Sequence, residues 1–422
     1  MRGQDSIGRK VDLTAILIYA ALVLMGWLNI YASVYEEGAD ISIFSLSINS
    51  GKQLLWIATA AVIIVFIMII EFQFYSSVAY IIYGILIGLL ILVLFFGKEV
   101  SGARSWFELG SFRLQPSEFV KFGTALALAR FFQDPSAKLD NLKNVFIAAM
   151  IIIVPAILIV LQPDPGTALV FGSFIIVLYR EGLPGIIPVL GIVFVAIFVL
   201  TLLLPFQTLF IGIGVVLAIV LIIVRRSWRN IAISIACFAL IFGAVFGVDY
   251  FVNNILKPHQ QNRIKVLFNP NIDPLGVGWN VTQSKIAIGS GGFGGKGFLE
   301  GTQTKFDFVP EQSTDFIFCT IGEEHGWIGS LVLIGLFTAL LFRIIAISER
   351  QKSRFARVYG YSVASILFFH FLINIGMTIG LFPVVGIPLP FFSYGGSSLW
   401  TFTVLLFILI KIDAHRMQVF AR

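Results

Sequence analysis

The chain has 422 residues, of which 58% are hydrophobic and only 12% are charged. Soluble domains carry about 25% charged residues, so this composition excludes a soluble globular protein and indicates an integral membrane protein. The formal net charge of +6 does not point to nucleic acid, because cytoplasmic loops of membrane proteins collect Lys and Arg to fix orientation. We therefore expect a membrane environment and no nucleic-acid partner.

Long apolar runs recur along the whole chain, separated by short polar joints. Each run is near the length that a bilayer requires, and the runs are too long for barrel strands. Because backbone groups inside lipid need partners within the protein, the runs predict transmembrane helices and an all-α polytopic membrane protein. The twelve runs lie at residues 12–34, 52–70, 76–97, 119–132, 144–161, 167–179, 185–204, 208–224, 230–249, 327–347, 359–381 and 398–412.

Basic residues occur in every second joint. Under the positive-inside rule such joints lie in the cytoplasm, and the N-terminus, with Arg2, Arg9 and Lys10, belongs to the same set. Both termini are therefore predicted to be cytoplasmic, and the alternate joints extracytoplasmic. The other basic joints are residues 130–143, 225–229, 343–357 and the tail from 411.

The stretch 269–329 differs from the rest of the chain. It is polar and rich in glycine, and a loop of this length is uncommon unless it is functional. The order of the joints places all but its last three residues in a predicted extracytoplasmic loop at 250–326, and we expect it to carry the chemistry. Its seven carboxylates are Asp273, Glu300, Asp307, Glu311, Asp315, Glu323 and Glu324.

Two ionisable residues lie in or at the edge of the fourth run. Glu118 and Lys121 are three residues apart, so they share a helix face and can pair. Charged groups in spans are costly and usually face a cavity. The alternative interpretation is that Glu118 simply stabilises the positive N-terminal end of a helix that begins near Pro116. The preceding joint carries Arg104 and Trp106 at the same level, although this tryptophan equally suits an interfacial aromatic belt.

Two proline-containing segments predict irregular backbone at membrane depth. Asp164 lies between two prolines ahead of a helix, which indicates a helix cap and turn or a residue of the cavity. The segment 386–398, which contains Ser393, is dense in proline and glycine. Such broken backbone is tolerated in a membrane only where it lines protein or water.

Short polar and glycine- or proline-containing motifs recur from about residue 102 to the C-terminus. The motifs are QPSE at 115–118, QPDPGT at 162–167, DPLGVG at 273–278, QSKIAIGSGG at 283–292, GKG at 295–297, PEQSTDFIF at 310–318, GEEHG at 322–326, NIGM at 374–377 and PLPFFSYGGS at 388–397. In this order they resemble the motifs of the SEDS family, the shape, elongation, division and sporulation proteins of bacteria. Their details are closer to the elongation type than to the division type.

The resemblance implies polymerisation of peptidoglycan glycan strands from lipid II, the undecaprenyl-pyrophosphate-linked disaccharide-pentapeptide, in cell elongation and rod-shape maintenance. The matching aspartate is the family's proposed catalytic residue, which makes Asp273 the general base and Glu311 the next candidate; on its own, Asp273 before Pro274 equally suits a turn. Cationic side chains, or a divalent cation such as Mg²⁺ or Mn²⁺, would stabilise the leaving pyrophosphate. The residues expected to bind substrate are Arg104, Trp106, Glu118, Lys121, Asp164, Lys285, Glu311 and Ser393.

The resemblance also implies a setting in the bacterial inner membrane with an extracytoplasmic active site. The expected partner is a class B penicillin-binding protein transpeptidase, with other membrane proteins of the elongation complex, because the chain shows no domain for peptide cross-linking. Family members typically have ten spans, so residues 185–224 predict an extra helical hairpin within a single transmembrane domain, 1–422. Two other functions stay open: a lipid II flippase or transporter, which broken helices also fit, and a non-catalytic scaffold.

Overall fold

A computed structural model describes residues 11–35, 42–100, 102–109, 112–223, 227–255, 261–262, 265–266, 276–306 and 308–416 of the chain. It divides into two compact units. Unit 1 comprises Met1–Leu183 and Asn280–Arg422, and unit 2 comprises Pro184–Trp279.

The first part of unit 1 consists of helices with a small sheet between the fourth and the fifth. Helix starts follow ordinary cap chemistry: the Asp12 carboxylate accepts from the Ala15 N–H, and Pro116 begins its helix where no N–H is needed. The elements are α1 (Leu13–Ser33), α2 (Asn49–Ile69), α3 (Phe72–Ser77), α4 (Ala79–Phe96), β1 (Lys98–Val100), β2 (Ala103–Leu109), β3 (Phe112–Leu114), α5 (Pro116–Gln133), α6 (Leu142–Val160), α7 (Pro165–Val170), a 3₁₀ turn (Phe171–Ser173) and α8 (Phe174–Arg180).

Unit 2 is built from three long helices, α9 (Ile186–Leu203), α10 (Phe206–Ile223) and α11 (Trp228–Tyr250), followed by a π-helical turn, Phe251–Ile255. Phenylalanines on α10 and α11 pack together, with ring centroids 4.2–5.4 Å apart. Among its described residues, α9 buries no side chain, and a helix that is apolar all round belongs in a membrane. The predicted segment 185–224 thus forms α9 and α10, and its status as an addition to a family core stays a prediction.

Where the structure describes the segment predicted to be a long loop, parts of it are helical. Its polar, glycine-rich sequence does not prevent short helices from forming where they pack against the bundle. Asp273 lies outside the described residues. The described helices from residue 277 onwards are α12 (Val277–Ser290), α13 (Thr302–Lys305), α14 (Ile317–Glu324), α15 (Gly326–Glu349), α16 (Arg354–Thr378) and α17 (Gly396–Ala414).

Ten described helices are long and apolar enough to cross a membrane: α1, α2, α4, α6, α9, α10, α11, α15, α16 and α17. The other two predicted runs fall on α5, which carries Glu118 and Lys121, and on the shorter segment Pro165–Arg180. Each predicted run therefore coincides with helix, and the prediction of an all-α multi-pass membrane protein is confirmed.

The centre of unit 1 is its C-terminal helix. Of the 19 residues of α17, 16 are buried, and the helix packs against α2, α5 and α16. Around it, α5 also packs against α4 and α16, and α15 lies between α1 and α16. The interior is continuous, so polar side chains on α5, α16 and α17 meet away from lipid.

An antiparallel sheet, β1-β2-β3, covers the bundle between α4 and α5. Lys98 pairs with Trp106, and Glu108 pairs with Arg113, in the two ladders. The sequence predicted only a polar joint here. Strands β1 and β3 have only three residues each, and β2, with the sequence ARSWFEL, does not alternate strictly between apolar and polar residues, so no strand pattern stands out. We name this end of unit 1 the sheet end.

The opposite end of unit 1, the ionic end, is closed by buried carboxylates. Asp12 lies 2.8 Å from guanidinium nitrogens of both Arg343 and Arg350, and Arg350 also pairs with Asp413. Burial would raise the pKa of Asp12, but hydrogen bonds from Arg343, the Ala15 N–H and Arg350 outweigh it and hold that pKa below its ordinary value. These contacts tie the start of α1 to the ends of α15 and α17.

Candidate active site

The sheet end is assembled where α5, α7 and α17 begin. The backbone N–H of Gln115 donates to Ser397 Oγ at 3.3 Å, and Ser397 Oγ donates to the Arg113 carbonyl at 3.3 Å. The Arg104 N–H donates to the Gln162 carbonyl at 3.1 Å. Strands β2 and β3 are therefore joined to the loop before α7 and to the first turn of α17.

Asp164 is the N-cap of α7, as its position between prolines predicted. One carboxylate oxygen accepts from the Thr167 N–H at 3.1 Å. The other accepts from the Thr167 hydroxyl at 2.8 Å and from the Gln115 side-chain amide at 3.2 Å. The cap thus also links α7 to the start of α5. A methyl group on Gly166 would lie 2.0 Å from the Val385 carbonyl oxygen, so this turn packs directly against the segment before α17.

Below this junction, Glu118 and Lys121 form a buried ion pair. Lys121 Nζ lies 2.8 Å from Glu118 Oε1, and the two side chains are 0% and 3% exposed. The pairing inferred from their spacing is confirmed. Glu118 Oε2 is buried and has no hydrogen-bond partner among the described residues, so the carboxylate keeps one oxygen available to a further donor.

His370 on α16 completes the surroundings of Lys121. Its Nε2 lies 2.9 Å from Lys121 Nζ, and its Nδ1 lies 3.1 Å from the Pro388 carbonyl oxygen. Since a carbonyl can only accept, Nδ1 carries the proton and Nε2 accepts from the ammonium. Lys121 Nζ also lies 5.1 Å from the centre of the Phe402 ring, close enough for a cation–π contact. Enclosed in this way, the ammonium is out of reach of a bulky anionic ligand.

The segment between α16 and α17 is irregular, as its prolines and glycines predicted. Asn374 on α16 donates to the carbonyls of Asp315 and Ile387, at 2.9 and 2.8 Å. Ser393 Oγ donates to the Thr314 carbonyl at 2.6 Å and accepts from the Leu389 N–H at 2.9 Å. This segment is therefore fixed at once to α16 and to the turns before α14.

Glu311 and Lys285, two other expected substrate residues, are exposed. Glu311 has a φ of 55°, which is uncommon for a residue with a side chain, and it accepts from the Thr314 hydroxyl at 2.9 Å. The N-cap of α14 is Phe316, and no side chain caps this helix. The Thr314 hydroxyl is instead engaged by Glu311 within the turn.

A second buried carboxylate, Glu323, organises the segment that precedes α13. Its side chain is 0% exposed. It accepts from the N–H groups of Thr302, Gln303 and Thr304 at 2.8, 2.8 and 2.9 Å. Lys296 Nζ lies 2.6 Å away, and both threonine hydroxyls also donate to it. Six donors on one carboxylate hold residues 296–304 against α14.

The neighbouring carboxyl, Glu324, has the opposite environment. It is buried, and its Oε2 has no partner among the described residues. Burial raises the pKa of Glu324 to about 7; a hydrogen bond from the Leu299 N–H opposes this rise, and the charge of Glu323 adds to it. For Glu323, burial alone would raise the pKa, but the hydrogen bonds from the Gln303 N–H and Lys296 lower it. Adjacent carboxyls therefore differ in charge state near neutral pH.

Comparison with known proteins identifies the family. The model of the FtsW, RodA and SpoVE proteins, described as cell cycle proteins, matches residues 12–208 and 179–418. The chain belongs to this family. Among its relatives, the Escherichia coli K12 peptidoglycan glycosyltransferase MrdB is 35% identical over 407 residues, covering 96% of this chain and 94% of MrdB. The Treponema pallidum peptidoglycan glycosyltransferase RodA is 32% identical over 435 residues, covering 96% and 98%.

Solved structures of the FtsW/RodA/SpoVE family share the fold. A chain of a peptidoglycan synthase complex, described as coordinating polymerization and crosslinking, matches with a TM-score of 0.70 and 26% identity over 97% of this chain and 99% of its own. RodA from Thermus thermophilus matches with a TM-score of 0.61 and 24% identity, covering 96% and 97%. The SEDS-type bundle implied by the motifs is thereby confirmed.

The predicted site residues of this family member fall into separate groups. Trp106, half-buried on β2, and the exposed Arg104 belong to the sheet. No cluster of three or more His, Cys, Asp or Glu side chains suited to a metal occurs in the part of the chain that the structure describes. His370 was not among the predicted site residues, although an ionisable residue within an apolar run is itself a signal of function. The structure brings together Glu118 with Lys121, Asp164 with Gln115, and Ser393 with the turn that contains Glu311.

Proposed function

We propose that this FtsW/RodA/SpoVE-family chain is a peptidoglycan glycosyltransferase that polymerises glycan strands from lipid II during cell elongation. The observation that carries the proposal is its likeness, over nearly the full length of both chains, to relatives named as peptidoglycan glycosyltransferases. The likeness to a chain of a peptidoglycan synthase complex supports it.

The reaction joins two lipid-linked sugars. The 4-hydroxyl oxygen of the acceptor sugar attacks the anomeric carbon of the donor, the bond from that carbon to the pyrophosphate oxygen breaks, and undecaprenyl pyrophosphate leaves with the bonding electrons. The hydroxyl proton passes to a general base, for which we propose Asp273. A carboxylate near neutral pH serves this role when it lies within hydrogen-bond reach of the hydroxyl.

Charges at the sheet end suit the anionic substrate. Arg104 and Lys285 are exposed, so we assign them, or a divalent cation carried with the substrate, to the leaving pyrophosphate. Lys121 is fully buried beside Glu118, and we assign this pair to holding the framework beneath the site. Trp106, Asp164, Glu311 and Ser393 would then shape the walls that surround the sugars.

We also propose the cellular setting. The protein would lie in the inner membrane with both termini cytoplasmic and the site extracytoplasmic, and would act with a class B penicillin-binding protein transpeptidase. Impermeant thiol labelling of intact spheroplasts tests the orientation. Glu300→Cys should react and Arg226→Cys should not. The reverse pattern would overturn both the topology and the assignment of the site.

The function is tested with purified protein and lipid II, reading glycan length on a gel. Wild type should extend glycan in detergent, whereas Asp273→Asn, which keeps size and turn preference, should be slower by about 10²–10⁴-fold, the usual contribution of a positioned base. Near-normal polymerisation by intact Asp273→Asn would move the base elsewhere, with Glu311 next. Wild type that moves labelled lipid across vesicles without extending glycan would instead be a flippase.

A further inference from the structure

Helix α16 carries a polar stripe through the interior of unit 1. His370, Asn374 and Thr378 recur at every fourth position, which places them on one face of the helix, and each is 0% exposed. Buried polar groups are retained only when they find partners. The partners of this stripe therefore indicate what it holds.

Two side chains of the stripe hold segments at the sheet end. His370 and Asn374 hold the segment before α17 through the carbonyls of Pro388 and Ile387, and Asn374 also holds the turn before α14. The Thr378 hydroxyl donates to the Ile375 carbonyl of its own helix, whereas the Thr378 backbone carbonyl accepts from the Ser284 hydroxyl of α12 at 2.9 Å. Side chains on one helix face thus fix two segments from distant parts of the chain, and the backbone of the same helix holds a third.

His370 differs from the other two because it also reaches towards α5. Its Nε2 accepts from Lys121, whose ammonium is paired with Glu118. A neutral imidazole with a fixed tautomer can therefore connect the ion pair on one side to the Pro388 carbonyl on the other. An aliphatic side chain would fill the same space without desolvating an imidazole, so packing alone does not explain a histidine here.

We propose that His370 is a positioning residue for glycosyl transfer. It sets the register of the segment before α17 against the Glu118–Lys121 pair, and so fixes the wall of the site without touching substrate. This inference rests on the proposed polymerase function. Because a positioning residue acts on the geometry of the reacting state, its loss should appear in kcat more than in KM.

The test compares three full-length variants with wild type, using purified protein and lipid II. His370→Leu removes both hydrogen bonds at similar volume, and kcat should fall by about 10- to 100-fold, the usual effect of losing a hydrogen bond to a charged group. KM should stay close to that of wild type. His370→Gln returns an acceptor within reach of Lys121 and should recover about tenfold in kcat over His370→Leu.

Tyr359→Phe is the matched control for stability. It removes a buried hydrogen bond from the same helix to the Leu405 carbonyl, so it should lower the thermal midpoint but leave kcat unchanged. The inference is overturned if His370→Leu keeps the kcat of wild type, or if it changes only KM. It is also overturned if kcat falls in step with the thermal midpoint in all three variants and His370→Gln recovers no activity over His370→Leu. Wild type that makes no glycan would count against the proposed function itself.

Discussion

The Glu323 carboxylate provides the sharpest test of how the polar segment is held. Glu323→Ala would leave three backbone N–H groups, two hydroxyls and the Lys296 ammonium without their common acceptor. Water can reach Lys296, which is 25% exposed, so most of the loss comes from the backbone donors. A buried donor left unsatisfied costs about 1–3 kcal/mol, so losing the acceptor that these backbone donors share should cost about 3–5 kcal/mol in total.

Hydrogen exchange measures this loss locally. If the free energy of local opening falls by about 3–5 kcal/mol, amide exchange becomes faster by about 10²–10⁴-fold. The effect should be confined to peptides covering residues 296–304. Glu300→Gln is the control, because Glu300 is an exposed carboxylate of the same segment and its exchange should not change. If Glu323→Ala exchanges like wild type in this segment, the carboxylate does not hold it and the reasoning fails.

The same bonds imply a dependence on pH. The pKa of Glu323 in the folded protein lies below its ordinary value of 4.5, so the folded state binds the proton less readily than the unfolded state. Protection of residues 296–304 should therefore be complete above about pH 4.5 and lost as the pH falls through the folded pKa. Pulsed exchange across this range checks the direction, and protection that rises on acidification would contradict it.

Three further changes have defined outcomes. Wild type should lose roughly 3 kcal/mol of stability as the pH rises from 4.5 to about 7, because the pKa of Glu324 is raised in the folded protein. Glu324→Gln should abolish this loss, and curves of unfolding free energy against pH that run parallel for wild type and variant would refute the prediction. Gly166→Ala should destabilise by about 1–3 kcal/mol, because its methyl group would meet a carbonyl oxygen, whereas Gly88→Ala, with nothing near its methyl group, should be neutral or stabilising in a thermal scan. Asp413→Ala removes the buried partner of Arg350 and should lower the unfolding free energy by about 1–3 kcal/mol, and an unchanged thermal midpoint would show that this ion pair contributes nothing.

The succession of membrane helices could be predicted from the sequence because each helix corresponds to its own apolar run. A membrane requires about 20 apolar residues per span, and most of the runs come near that length. The Glu118–Lys121 pair was predictable for the same reason, since both partners lie within one turn of one helix. Asp164 could likewise be recognised as a cap from its two neighbouring prolines.

Contacts between distant residues could not be read in this way. His370 and Lys121 are 249 residues apart, and no periodicity relates them. The hydrogen bonds to the Glu323 carboxylate come largely from backbone N–H groups, which any residue type can supply. The sheet was not predicted because its strands are short or lack strict alternation. The helices of the glycine-rich segment were not predicted because packing stabilises them more than propensity does.

The central place of α17 has a consequence for how the protein is made. It follows the other described helices in the sequence, yet it fills the middle of unit 1 and contacts α2, α5 and α16. The helices that are made before it therefore lack, until α17 is added, the neighbour that they contact in the finished bundle. Chains truncated before Gly396 would lack the helix that fills the middle of unit 1.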